Sequence, residues 1–130
     1  MPAPVSATYS AAAKIAANTA FKVLLDAETG AGSLAIRDAA DVLLAEIALT
    51  DPCGTVNGTT GQLTLTADGR EEAAPATGTA AYAELRDALD VVHLALPCAA
   101  GTVAVSGQCV LNTLAIVSGA PVEVVSLTIG

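Results

Sequence analysis

The stretch Gly78-Thr-Ala-Ala-Tyr-Ala-Glu-Leu-Arg-Asp-Ala-Leu-Asp-Val-Val-His-Leu-Ala-Leu96 decides the fold class. In its first half Thr79, Ala81, Ala83 and Leu85 fall on one face, with Tyr82, Glu84 and Arg86 on the other. In its second half Val92, Leu94 and Leu96 share a face, with Val91, His93 and Ala95 opposite. A period of two places successive side chains on opposite sides of a pleated sheet, so both halves read as half-buried strands. The short polar link Asp87–Asp90 joins them as a hairpin, although no glycine supplies the turn.

The same alternation recurs on both sides. Upstream, Ser33–Arg37 aligns Leu34 with Ile36, and Asp41–Leu49 turns Leu43, Ala45, Ile47 and Leu49 inward with Glu46 outward. Asp51-Pro52 should end that strand, since proline cannot donate to a ladder. Gln62–Thr66 alternates again after an Asn57-Gly58 turn signal. The polar run Ala67–Thr77 reads as an exposed, mobile loop. Downstream, Pro97-Cys98 should break the second hairpin strand, and Gly101–Val105, Cys109–Val117 and Val122–Ile129 read as further strands. In the last of these Glu123 shares a face with Val125, Leu127 and Ile129. Either Glu123 lies at the rim or the strand carries a bulge. No internal repeat of fixed period is evident.

The N-terminal part differs. Met1–Val5 holds Pro2 and Pro4 and reads as an extended arm. Ser6 can cap a helix running from Ala7 to about Ala27, which Gly30 and Gly32 stop. Ala13, Ala17, Phe21 and Leu24 form a narrow stripe that Ala20 and Leu25 widen. Such an Ala-rich helix packs closely either on its own sheet or on another subunit. The expected architecture is therefore all-β: an antiparallel β-sandwich or jelly-roll-like domain over residues 29–130. One N-terminal α-helix and its arm occupy residues 1–28.

Composition narrows function. The 130 residues carry five Lys plus Arg against thirteen Asp plus Glu, a net charge of −8, which argues against a phosphate-backbone partner. Only 2% of residues are aromatic, which disfavours base-stacking and sugar-binding platforms. Hydrophobic residues make up 53%, yet no run reaches the roughly 18 apolar residues of a spanning helix. The start Met-Pro-Ala-Pro lacks a basic leader. A protein made in the cytoplasm, outside any membrane, is expected.

Candidate chemistry is sparse. His93 is the one imidazole, mid-strand among Val and Leu, and reads as a sheet-surface or interface residue. Glu71 and Glu72, beside Arg70 and near Asp68, read as a solvated loop rather than a carboxylate pair in a cleft. Cys53, Cys98 and Cys109 form no Cys-x-x-Cys pair, so zinc is not expected. They are buried or loop thiols, or Cys98 and Cys109 pair once the protein leaves the reducing cytoplasm. No enzymatic activity, cofactor or metal is expected.

Three segments carry a family resemblance. The first is the helix leading through Thr29-Gly-Ala-Gly32 into Ser33-Leu-Ala-Ile-Arg37. The second is Leu43-Leu-Ala-Glu-Ile-Ala-Leu-Thr-Asp-Pro52, followed by Gly61-Gln-Leu-Thr64 and Gly78-Thr-Ala-Ala-Tyr82. The third is Val110-Leu-Asn-Thr-Leu-Ala-Ile-Val-Ser-Gly119 with Pro121-Val-Glu-Val-Val-Ser-Leu-Thr128. Together they resemble small virion structural proteins of tailed bacteriophages, of the head decoration or cement type. The resemblance implies a β-sandwich bound in many copies to a shell of major capsid protein, in contact with copies of itself, and no active site to carry over. Its location would be the virion, after synthesis in the host cytoplasm. On this reading the arm and helix form a clamp, with Pro2, Pro4, Tyr9, Ala13, Ala17 and Phe21 as partner-binding residues. A tail, collar or fibre-attachment component is the alternative within this class. A hydrolase or sugar-binding module on a β scaffold is the alternative outside it.

Overall fold

A computed structural model describes residues 9–27 and 29–130. Its elements are α1 (Ala11–Leu25), β1 (Ser33–Arg37), β2 (Leu43–Val56), β3 (Leu63–Ala67), β4 (Gly78–Thr79), β5 (Tyr82–Arg86), β6 (Val92–Ala100), β7 (Cys109–Leu111), β8 (Ala115–Ile116) and β9 (Val124–Ile129). Seven strands close on themselves in the order β1-β2-β3-β9-β7-β6-β5, while β4 and β8 pair separately. Every neighbouring pair is antiparallel except β6 with β7, which is parallel. The all-β class with a helix at the N-terminal side is what the alternation requires. The closure is where the architecture departs from the expected sandwich: β5 returns to β1 and joins the two ends of one sheet.

Alternation fills the interior. Leu34 and Ile36 of β1, Ala45, Ile47 and Leu49 of β2, and Ala83 and Leu85 of β5 are all fully or almost fully buried. Each buried Leu or Ile contributes roughly 1.5–3 kcal/mol relative to an exposed one. The opening hairpin is β5–β6, with Leu85 opposite Leu94 and Ala83 opposite Leu96. Its first half is shorter than the alternation suggests. Thr79 belongs to β4, paired with Ala115 of β8, and the chain joins the barrel at Tyr82.

Both prolines expected to end strands are absorbed instead. β2 runs through Pro52 because Thr50–Cys53 bulge out between Leu49, opposite Ala67, and Gly54, opposite Leu65. A residue without an N–H is tolerated in a bulge, where no ladder bond is required of it. Pro97 lies where β6 changes neighbours. It is the last residue paired with β5, and Cys98 is the first paired with β7. Gly101–Val105 forms no strand but an exposed loop, and Cys109–Val117 divides into β7 and β8. Both alternatives raised for the last strand hold: Glu123 lies just outside β9, and the strand carries a bulge. Val110 faces Ser126 and Leu111 faces Val124, so Val125 is the extra residue and stands exposed. The Ala67–Thr77 loop is tied down rather than loose. Glu71 bridges Val122, and the Ala74 carbonyl accepts the Gly119 N–H at 2.8 Å.

Two hairpin turns share one sequence, Arg-Asp-Ala-x-Asp-Val, at Arg37–Val42 and Arg86–Val91. The carboxylates of Asp38 and Asp87 each accept two backbone N–H groups, from Ala40 and Val42 and from Leu89 and Val91. Asp41 and Asp90 adopt φ of 66° and 62°. Aspartate tolerates this left-handed conformation better than most residues, which is why neither turn needs a glycine. Since Ala35 pairs with Glu84, forty-nine residues on, the two hairpins are related by a local two-fold axis.

Candidate interaction surface

Helix α1 starts at Ser10, whose hydroxyl accepts the Ala13 N–H at 3.2 Å. The cap proposed at Ser6, and the arm with Pro2 and Pro4, lie outside the described residues. The helix ends earlier than its glycines suggest, because Asp26 is diverted: its carboxylate accepts the Cys53 N–H of β2 at 3.0 Å and pairs with Lys22 at 3.4 Å.

The helix packs on β2 and β3 through a face rotated from the expected stripe, of which Phe21 and Leu25 alone turn inward. Asn18 and Leu25 are buried, with Lys14, Ile15, Phe21 and Lys22 half-buried beside them. Asn18 is the clip. Its side-chain amide donates to the Gly61 carbonyl at 2.6 Å and to the Ile129 carbonyl at 3.1 Å, joining the helix to the β2–β3 loop and to the end of β9. Gly61, at φ 79°, lies directly beneath the helix. A β-carbon there would run into Lys14 and stand 2.8 Å from the Ile15 nitrogen. A hydrophobic count passes over Asn18. Its signal was of another kind, a poor helix former placed amid alanines.

Of the stripe Ala13, Ala17, Phe21 and Leu24, only Phe21 turns toward the barrel. Ala13, Ala17, Ala20 and Leu24, at i, i+4, i+7 and i+11, face outward. Val23 is 62% exposed, and Tyr9, just before the helix, 73%. The only charged residues of α1, Lys14 and Lys22, lie on the half-buried side. An acidic chain therefore presents an uncharged outer helix face that is apolar apart from Thr19.

The other candidates are placed as follows. His93 Nε2 lies 2.9 Å from Asp87 Oδ2, while Asp87 Oδ1 is taken by the backbone of Leu89 and Val91. The pair braces the β5–β6 turn. Glu71 accepts the Glu46 N–H at 3.2 Å, and Glu72 pairs with Arg70 at 3.4 Å, so the two carboxylates point to different partners. Arg86 reaches across β1 to Glu46 at 3.0 Å, and Arg37 pairs with Glu84. Cys98 and Cys109 are free thiols and register partners on β6 and β7; Cys53 is buried apart from them. Among the described residues no cluster of His, Cys, Asp or Glu could hold a metal ion, and no helix is long and apolar enough to cross a membrane. No family model matches the chain, and no curated protein or solved structure does.

The hydrogen bond to His93, reinforced by two backbone N–H groups, holds the Asp87 carboxyl below the ordinary carboxylate range. A carboxyl whose folded value is lowered stabilises the fold at neutral pH. That contribution is lost as pH falls from the unfolded value, about 4, through the folded one. Asp87→Asn keeps an acceptor for the turn but has no proton to gain. Its melting temperature between pH 7 and pH 2 is expected to fall less steeply on the acid side than that of the unaltered chain. Parallel acid limbs would contradict this.

Proposed function

We propose that this chain is a structural protein of a tailed-phage virion, a decoration or cement protein that binds the major capsid protein shell in many copies. The observation that carries the reading is the outward face of α1, apolar and uncharged on a protein of net charge −8. Water-facing helices ordinarily carry their charges outward. Here both lysines are drawn toward the barrel and alanines face the solvent. Small side chains let a second element approach closely, and Tyr9, Val23 and Leu24 supply area to bury.

The resemblance of the strand-and-turn order to head decoration proteins supports the same reading. So does the closed barrel, whose strands are nearly all paired and so offer little edge for non-specific strand addition. The chain works by adhesion rather than by a reaction. Repetition across a shell multiplies weak individual contacts. The acidic remainder of the surface faces outward and keeps neighbouring copies and particles apart.

Gold-labelled antibody against this chain, applied to virions purified from a lysate that expresses it, is expected to decorate the head exterior at many regularly spaced positions. Label confined to the tail would replace the head assignment with the tail or collar alternative. Virions without label, and the chain recovered as a free monomer, would overturn the structural role.

A further inference from the structure

We infer that Cys98 and Cys109 are a dithiol that closes into an intramolecular disulfide, stapling the parallel seam of the barrel. The two residues are direct register partners at the start of the β6–β7 pairing. Neighbouring strands lie about 4.8 Å apart. That spacing falls within the roughly 4.4–6.8 Å between α-carbons that a disulfide spans. As direct partners on neighbouring strands the two thiols lie close enough to influence each other's ionisation.

The environment divides their roles. Cys98 is half-buried and Cys109 fully buried, so of the two only Cys98 reaches the surface. The neighbouring Cys109 thiol holds the Cys98 thiol below its ordinary value against the opposing effect of burial, while Cys98 and burial raise Cys109. Cys98 is the attacking thiolate and Cys109 the resolving thiol. The third cysteine is a built-in control. Cys53 is fully buried, and burial, together with the nearby Asp26 carboxylate, pushes its thiol up to about 12.

The chemistry needs a small-molecule disulfide of the glutathione type as oxidant. The Cys98 thiolate attacks one sulfur of the oxidant, forming a mixed disulfide and releasing the first thiolate. Cys109 then attacks the Cys98 sulfur, forming the Cys98–Cys109 bond and releasing the second thiolate. The protein loses two protons and two electrons, and the oxidant gains both as two thiols.

The site has a structural consequence. Only three register pairs, Cys98–Cys109, Ala99–Val110 and Ala100–Leu111, hold β6 to β7, and the whole segment Gly101–Gly107 between them is exposed. The bond would close a loop over Ala99–Gln108 and fasten this seam covalently. The seam would be open to rearrangement in a reducing cytoplasm and fixed outside it.

The test uses the purified full chain, equilibrated with mixtures of oxidised and reduced glutathione, quenched with acid, unfolded, alkylated and cut with trypsin. The last basic residue is Arg86, so Cys98 and Cys109 fall together in fragment 87–130, while Cys53 falls in fragment 38–70. Fragment 87–130 is expected about 2 Da lighter than its reduced form and without alkyl groups, with Cys53 fully alkylated. The melting temperature of the oxidised chain should rise by roughly 6–15 °C. Cys109→Ser is expected to stop at a glutathione adduct on Cys98, and Cys98→Ser to take up no glutathione. Alkylation of both thiols under fully oxidising conditions would overturn the inference. Doubling of fragment 87–130, or its linkage to fragment 38–70, would do the same. Glutathione on Cys109 in the Cys98→Ser variant would overturn the assignment of roles.

Discussion

Replacing Gly54 by alanine should cost the barrel about 3 kcal/mol or more and lower the melting temperature by roughly 10 °C or more. Gly54 is the first residue after the β2 bulge to rejoin β3. A β-carbon there would penetrate the Thr64 carbonyl oxygen and lie 2.9 Å from the Leu65 α-carbon. Both obstacles are backbone, so no side chain can swing aside. The strand pair would have to separate where Leu63 and Leu65 are sealed into the core. A loss of this size is a large part of the roughly 5–15 kcal/mol that holds a typical domain together. Thermal melting of purified Gly54→Ala, or its recovery only as insoluble protein, checks this. A melting temperature within a degree of the unaltered chain would show that β2 does not approach β3 so closely.

The largest functional effect is expected from the outer face of α1. Ala13→Glu combined with Ala17→Glu sets two carboxylates on the apolar stripe near the start of the helix. Glutamate is a good helix former, and the first turns of a helix favour negative charge. The pair repels by only about 0.2–0.5 kcal/mol at i, i+4 spacing, so the melting temperature should hold within about 2 °C. Burying either charge against a partner without a counter-ion would cost several kcal/mol. Under the proposed decoration role, binding to capsid shells that lack this chain, measured by co-sedimentation, is expected to weaken at least about 100-fold. Undiminished binding by this well-folded variant would move the interface elsewhere on the barrel.

Much of the fold was legible in the alternation. Leu34 with Ile36, Ala83 with Leu85, and Ala45 with Ile47 and Leu49 occupy the interior as a period of two demands. Closure was not legible, because a local pattern reports which side of a strand is buried and not which strand lies next to it. The prolines misled for a related reason. Pro52 and Pro97 have no N–H to give, but whether that ends a strand depends on whether a neighbour asks for one at that position. A bulge in β2 and the change of neighbours in β6 both remove the demand. The helix face was misread by counting apolar residues alone. Asn18 faces the barrel because two backbone carbonyls, at Gly61 and Ile129, await a donor there. The proximity of Cys98 and Cys109 was suggested by their spacing, and the parallel register accounts for it.

The twin Arg-Asp-Ala-x-Asp-Val turns have a practical meaning. Because β1 and β5 run in opposite directions, the two turns cap opposite mouths of the barrel. Each is held by an aspartate reaching back to its own backbone, so the exposed tips at Ala39-Ala40 and at Leu89 are free of the core's demands. Peptides grafted at these tips would project from either end of one barrel, giving a display scaffold with two addressable poles.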